Sequence, residues 1–208
     1  MSTLKEHILM LGQFLRTDFR KMLLGCTLAM VVAILLGYVL GCISPETVNA
    51  VLEQFMAMVE DAGIMDSAGN ISPFGLLTNN WTAMLMAAVY GFVPFLYLPV
   101  FTLAANSMLI GLMAAWYQSS GFSMGLFLAG ILPHGIFELP ALVIASACGV
   151  CLCRNMCRLV TSSPNRVPMV DLLSDLLRVM LLMVLPMTVA AAFLEAYVTP
   201  VVMALFMG

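Results

Sequence analysis

His134 and Glu138 are the residues of this chain best placed to do chemistry. They lie in Ile131-Leu132-Pro133-His134-Gly135-Ile136-Phe137-Glu138-Leu139-Pro140, inside an apolar stretch from about Phe122 to Cys153. Apart from cysteine thiols, they are the only ionisable groups in that stretch. Four residues apart on a helix, the imidazole and the carboxylate share one face. A charged side chain at mid-bilayer costs about 3 kcal/mol on insertion scales, so such groups have a partner or a task. Asn106 and Glu195 fall near the midpoints of two other apolar segments, and Asn79-Asn80 open a third. A bundle that gathers these segments would hold a polar intramembrane cluster of His134, Glu138, Glu195, Asn106 and Asn80.

Three chemistries fit such a cluster. It can be a hydrogen-bonded network that fixes helix register. It can relay protons or ions, using backbone freed at a broken helix. It can also hold a metal ion, with His134, Glu138 and Glu195 as ligands. Proteases that cleave prenylated substrates in the membrane use similar His-x-x-x motifs, but they also need a Glu-Glu-x-x-x-Arg segment, which this sequence lacks. No catalytic residue is assigned, and no cofactor beyond that metal ion is expected.

The elements that must position these groups follow from composition. Of 208 residues, 62% are hydrophobic and only 9% charged, with a mean hydropathy of +1.06. Soluble domains carry about a quarter charged residues, so the chain is an integral membrane protein. The apolar segments are continuous rather than alternating, which excludes a β-barrel. The expected fold is all-α, a single polytopic bundle of about five spans plus an N-terminal amphipathic helix.

That helix covers residues 3–20, with Leu4, Ile8, Leu11, Leu15 and Phe19 at helical spacing, and His7 reads as a surface residue. It lies on the inner membrane face or packs beneath the bundle. Spans are expected at residues 22–43, 76–95, 98–117, 122–153 and 180–206. The fourth is long for a ~30 Å core, and Pro133 and Pro140 predict that it breaks between them. Residues 44–75 read as an external amphipathic loop: a helix opened by Ser44-Pro45-Glu46 carries an apolar face of Val48, Val51, Leu52, Phe55 and Val59, followed by a turn at Asp66–Asn70.

In span one, Gly25, Ala29, Ala33, Gly37 and Gly41 recur every fourth residue. Small residues at this spacing admit a close neighbour, either another span or a second copy in a homodimer. The stripe drifts about 40° per step, so it suits a crossing helix rather than a straight seam.

No lysine or arginine lies between Met22 and Cys153. Lys5, Arg16, Arg20 and Lys21 precede the first span, and Arg154, Arg158, Arg166 and Arg178 follow the fourth. The positive-inside rule then places the N-terminus and the Arg154–Arg178 loop in the cytoplasm, and the C-terminus outside. The start does not read as a cleaved signal peptide. Eight basic residues in two segments make no dense patch, which excludes nucleic acid as a partner. Cys148, Cys151, Cys153 and Cys157 point to opposite sides of one helix and read as packing residues rather than a four-thiolate site. The 19 methionines are spread over all spans, unlike a copper-binding motif.

Leu132-Pro133-His134-Gly135-Ile136-Phe137-Glu138-Leu139-Pro140-Ala141 resembles the central signature of the stage II sporulation protein M family. Asn79-Asn80, Asn106 with Gly111, and Ala191-Ala192-Phe193-Leu194-Glu195-Ala196-Tyr197-Val198-Thr199-Pro200 also fit its pattern, so the resemblance covers nearly the whole chain. Where the family commonly has Asn-Gly in its third span, Ser107 follows Asn106 here. The resemblance implies a small polytopic protein of a bacterial or archaeal cytoplasmic membrane. In spore formers the namesake resembles, in role, a membrane anchor for peptidoglycan-degrading partners during engulfment. The leading expectation is therefore a membrane scaffold or assembly component for cell-envelope partners. A small ion- or proton-coupled transporter stands second, and a metal-dependent intramembrane hydrolase third.

Overall fold

The computed structural model of the protein describes residues 2–16, 18–61 and 72–207. Among these every regular element is helical: α1 Ser2–Leu15, α2 Phe19–Ile43, α3 Pro45–Asp61, α4 Pro73–Val89, α5 Leu98–Ser119, α6 Met124–Val160, α7 Met169–Val179, α8 Leu185–Phe193 and α9 Thr199–Met207. A 3-10 turn, Tyr90–Phe92, extends α4, and π-helical turns at Met180–Val184 and Leu194–Val198 join α7, α8 and α9. Four helical stretches are long and apolar enough to cross a membrane: Phe19–Ile43, Leu98–Ser119, Met124–Val160 and Met169–Phe206. With its extension, α4 is a fifth apolar rod, somewhat shorter than these. The expected turn at Asp66–Asn70 lies outside the described residues.

Helix α6 is the axis of the fold. Of its span window 61% is buried, against 17% for α2, so α6 is central and α2 peripheral. The buried core is built mainly on the α6 segment Ala141–Leu152, joined by Phe19, Cys26, Met84, Leu103, Leu172, Leu176, Val179 and Val184. Ser123 starts α6 by accepting the Leu126 amide at 3.1 Å, and Ser72 starts α4 in the same way through Gly75.

The expected break between Pro133 and Pro140 does not occur, since α6 runs through both. Each proline removes one backbone hydrogen bond and crowds the carbonyl four residues back. In a helix of 37 residues packed on several neighbours, that local cost is outweighed by what continuing the helix buries. The disruption appears instead in the last rod. Pro186 and Pro200 crowd the carbonyls of Leu182 and Ala196, and each of these lies in the middle of a π turn. A widened turn relieves that clash, and local π adjustment is how membrane helices accommodate proline.

The fifth expected span also begins earlier than expected. Helix α7 starts at Met169 rather than Met180, and only residues 161–168 remain as a loop. The reason is amphipathicity: Leu172, Leu176 and Val179 are buried while Asp171 is exposed and Asp175 and Arg178 are only half-buried. Helix α1 docks by its C-terminal end, where Leu11, Phe14 and Leu15 pack on the core, while Ile8, Leu9 and Met10 remain exposed. In α3, Val48 is buried, Val51 and Leu52 are half-buried, and Glu46, Asn49 and Glu53 are exposed, while the side chains of Phe55 and Val59 lie outside the described residues.

Two of the five residues of the small-residue stripe on α2 pack against α5. A Cβ on Gly37 would collide with the Met108 carbonyl, and one on Gly41 would stand 2.6 Å from Ala115 Cβ. Ala33 is also buried, and Ala29 packs against the central core. Gly25 is exposed, with nothing within 4 Å of a Cβ built there. The drift of the stripe accounts for this: three steps of about 40° carry Gly25 about 120° away from Gly37.

At the basic end of the bundle, Arg154 donates to Asp18 at 2.9 Å and Lys21 to the same carboxylate at 3.2 Å. Arg178 bridges Asp175 and His7, tying α7 to α1. Asn155 folds the 161–168 loop back, donating to the Val167 carbonyl at 3.0 Å and accepting the Val167 amide at 2.9 Å.

Candidate functional site

The structure brings together His134, Glu138 and Glu195. One ligand atom from each lies within 4.8 Å of the other two. Helix α6 supplies the first two from one face, as the four-residue spacing requires, and the π turn Leu194–Val198 supplies the third. Gly130 and Gly125 of α6 let α9 approach: Cβ atoms there would stand 3.4 Å from Met203 and 3.1 Å from Phe206. All three site residues are half-buried.

Thr199 is the hydrogen-bond neighbour of the histidine. The Thr199 hydroxyl donates to the Leu194 carbonyl at 3.2 Å, five residues back across the π turn. His134 Nδ1 lies 3.3 Å from the same hydroxyl. The tautomer that satisfies both contacts has the hydroxyl accept from a protonated Nδ1, which leaves a lone pair on Nε2. Nε2 lies 3.8 Å from Glu138 Oε2, too far for a hydrogen bond. Among the described residues no hydrogen bond reaches either carboxylate. Nor is a lysine or arginine available nearby in sequence: none occurs between Met22 and Cys153 or after Arg178.

The two amides expected in the cluster are engaged elsewhere. Asn106 is exposed on α5 and donates to the Thr102 carbonyl of its own helix at 2.9 Å. Asn80, half-buried on α4, accepts from the Asn79 amide at 3.4 Å. Sequence reasoning missed Thr199, although its position four residues after Glu195 was a usable signal.

The cysteines behave as structural groups. Six thiols are free, and Cys148 and Cys153 are fully buried. Cys153 donates to the Val93 carbonyl at 3.3 Å, and Cys157 accepts the Phe95 amide at 3.1 Å. Together they clamp the α4–α5 turn, where Phe95 and Tyr97 take positive φ values of 69° and 46°.

Rods of this length and apolarity, packed around a central helix with a polar site between them, define a multi-pass helical membrane protein. Within that class the chain belongs to the Stage II sporulation protein M family, whose pattern matches residues 18–200. It is also similar to an uncharacterized protein of Methanocaldococcus jannaschii, 25% identical over 168 residues that cover 79% of this chain and 88% of the relative. No solved structure matches the chain.

Proposed function

We propose that this protein is a membrane scaffold that assembles partners acting on the cell envelope, including peptidoglycan-remodelling enzymes. It would sit in a bacterial or archaeal cytoplasmic membrane with its N-terminus inside and its C-terminus outside. The observation that carries this reading is the two-sidedness of α2. One face is locked backbone-to-backbone onto α5, while Leu24, Leu28, Val31, Leu35, Leu36 and Val39 form a continuous exposed apolar face. A helix held rigidly on one side offers a fixed surface to another membrane segment on the other. Photo-cross-linking groups placed at Leu28 and Leu35 in living cells test this. Capture of envelope-remodelling proteins, abolished by polar substitution of the face, is the expected result. Adducts with lipid alone would refute the reading, and adducts with a second copy would make the face a homodimer interface instead.

A second reading, a small ion- or proton-coupled transporter, is favoured by the convergence of His134, Glu138 and Glu195 within the bundle. Purified protein in liposomes distinguishes the two. The scaffold shows no proton or cation flux, whereas the transporter shows flux that Glu138→Gln abolishes without unfolding the chain.

A further inference from the structure

We propose that His134 Nε2, Glu138 and Glu195 bind one divalent transition-metal cation between α6 and the terminal helical rod. The site is independent of the scaffold reading.

The chemistry of the donor set selects the ligand. Two carboxylates and a neutral imidazole carry two negative charges, which a divalent cation cancels at a depth where net charge is costly. A nitrogen donor beside two oxygens suits zinc, manganese or ferrous iron, while calcium and magnesium favour oxygen alone. Thr199 suits the histidine to the role: in the tautomer that satisfies both of its contacts, Nδ1 carries the proton and Nε2 is the ligand atom. A metal-bound imidazole characteristically donates its other N–H to such a partner. Neither carboxylate is committed to a hydrogen-bond donor among the described residues.

Distances set the adjustment required. Ligands at about 2.0–2.2 Å from one tetrahedral ion stand about 3.4 Å apart. From separations of up to 4.8 Å, the glutamates must swing inwards by about an ångström, within the reach of their side-chain torsions. Glu195 is carried on a widened turn, and metal binding would pin that turn to α6. Three protein ligands leave one coordination position for water.

The test uses the full chain, purified in detergent without a polyhistidine tag, stripped with chelator and titrated separately with Zn2+, Mn2+ and Fe2+. We expect one of these metals to bind at about one equivalent per chain and to raise the unfolding temperature. Glu138→Gln, Glu195→Gln and His134→Gln should each weaken binding at least tenfold and abolish the metal-dependent rise. Thr199→Val keeps all three ligands and should weaken binding about 10- to 100-fold, the usual effect of losing such a partner. It serves as the decisive variant if a ligand substitution fails to fold. Cobalt in the site should show tetrahedral bands and no thiolate charge transfer. Absence of stoichiometric binding by the wild-type chain overturns the proposal. So does affinity that is unchanged in folded ligand variants, or a thiolate signature that moves the metal to the cysteines.

Discussion

Gly37 and Gly111 meet where α2 crosses α5. A Cβ built on Gly111 would stand 3.0 Å from the Gly37 carbonyl carbon and 2.6 Å from the Tyr38 amide nitrogen, and would collide with the Ile34 carbonyl. The atoms in the way are backbone, which cannot rotate aside. The two helices can approach this closely only because neither residue has a side chain.

Gly37→Val and Gly111→Val should each destabilise the protein by about 1–3 kcal/mol or more, the range for forced overpacking. Gly25→Ala should be neutral or slightly stabilising, because its Cβ meets open space and alanine favours helix. Thermal unfolding of the three variants in one detergent checks the contrast. Equal losses at Gly25 and Gly37 would mean that the stripe serves a partner, not α5.

A second close crossing joins Gly91, which follows α4, to Gly149 of α6. A methyl on Gly149 would stand 2.6 Å from the Pro99 ring and run into the Ala87 carbonyl, and one on Gly91 would run into the Gly149 carbonyl. Gly149→Ala should therefore cost about 1–3 kcal/mol, despite alanine's better helix propensity. Limited proteolysis of the Val93–Tyr97 turn should quicken at the same time, because Pro99 lies in the first turn of α5 just beyond it.

These crossings show what was legible in the sequence. Helical spans and a His/Glu pair in an apolar run stand out from residue types alone, and the drift of the α2 stripe follows from helix geometry. Which glycines are used depends on where helices cross, and that is not encoded within either segment. Pro133 and Pro140 predict a break because the local rule is strong, yet packing around α6 overrides it. Pro186 and Pro200 instead accompany the π turns, one of which carries Glu195. Asn106 was expected to serve a distant site, but it took the local alternative of a carbonyl one turn back.

Asn155 is the buried polar residue that organises the 161–168 loop. Both halves of its amide are used, one as donor and one as acceptor, on the same residue, Val167. Asn155→Leu should cost about 1–3 kcal/mol by leaving two backbone groups without partners. Asn155→Asp keeps the acceptor but loses the donor and adds a buried charge, so it should be no better. Hydrogen exchange at the Val167 amide measures the effect: both variants should exchange faster, and Asn155→Leu should lose protection entirely.

The Asp18 tie makes stability at the basic end depend on pH, and its sign follows from the charges around it. Hydrogen bonds from Lys21 and then Arg154 hold its carboxyl below the ordinary carboxylate range. A carboxyl whose folded value is depressed contributes stability that is fully present above its unfolded value near 4. That contribution is lost as pH falls through the folded value. Asp18 is solvent-exposed, so the contribution is small and screened by salt. Wild type should therefore unfold at a slightly higher temperature than Asp18→Asn at pH 7 in low salt. The two curves should converge below pH 4, and at neutral pH the gap should shrink in high salt. A gap that changes with neither pH nor salt would show that Asp18 acts through an uncharged contact and not through its ionic contacts with Arg154 and Lys21.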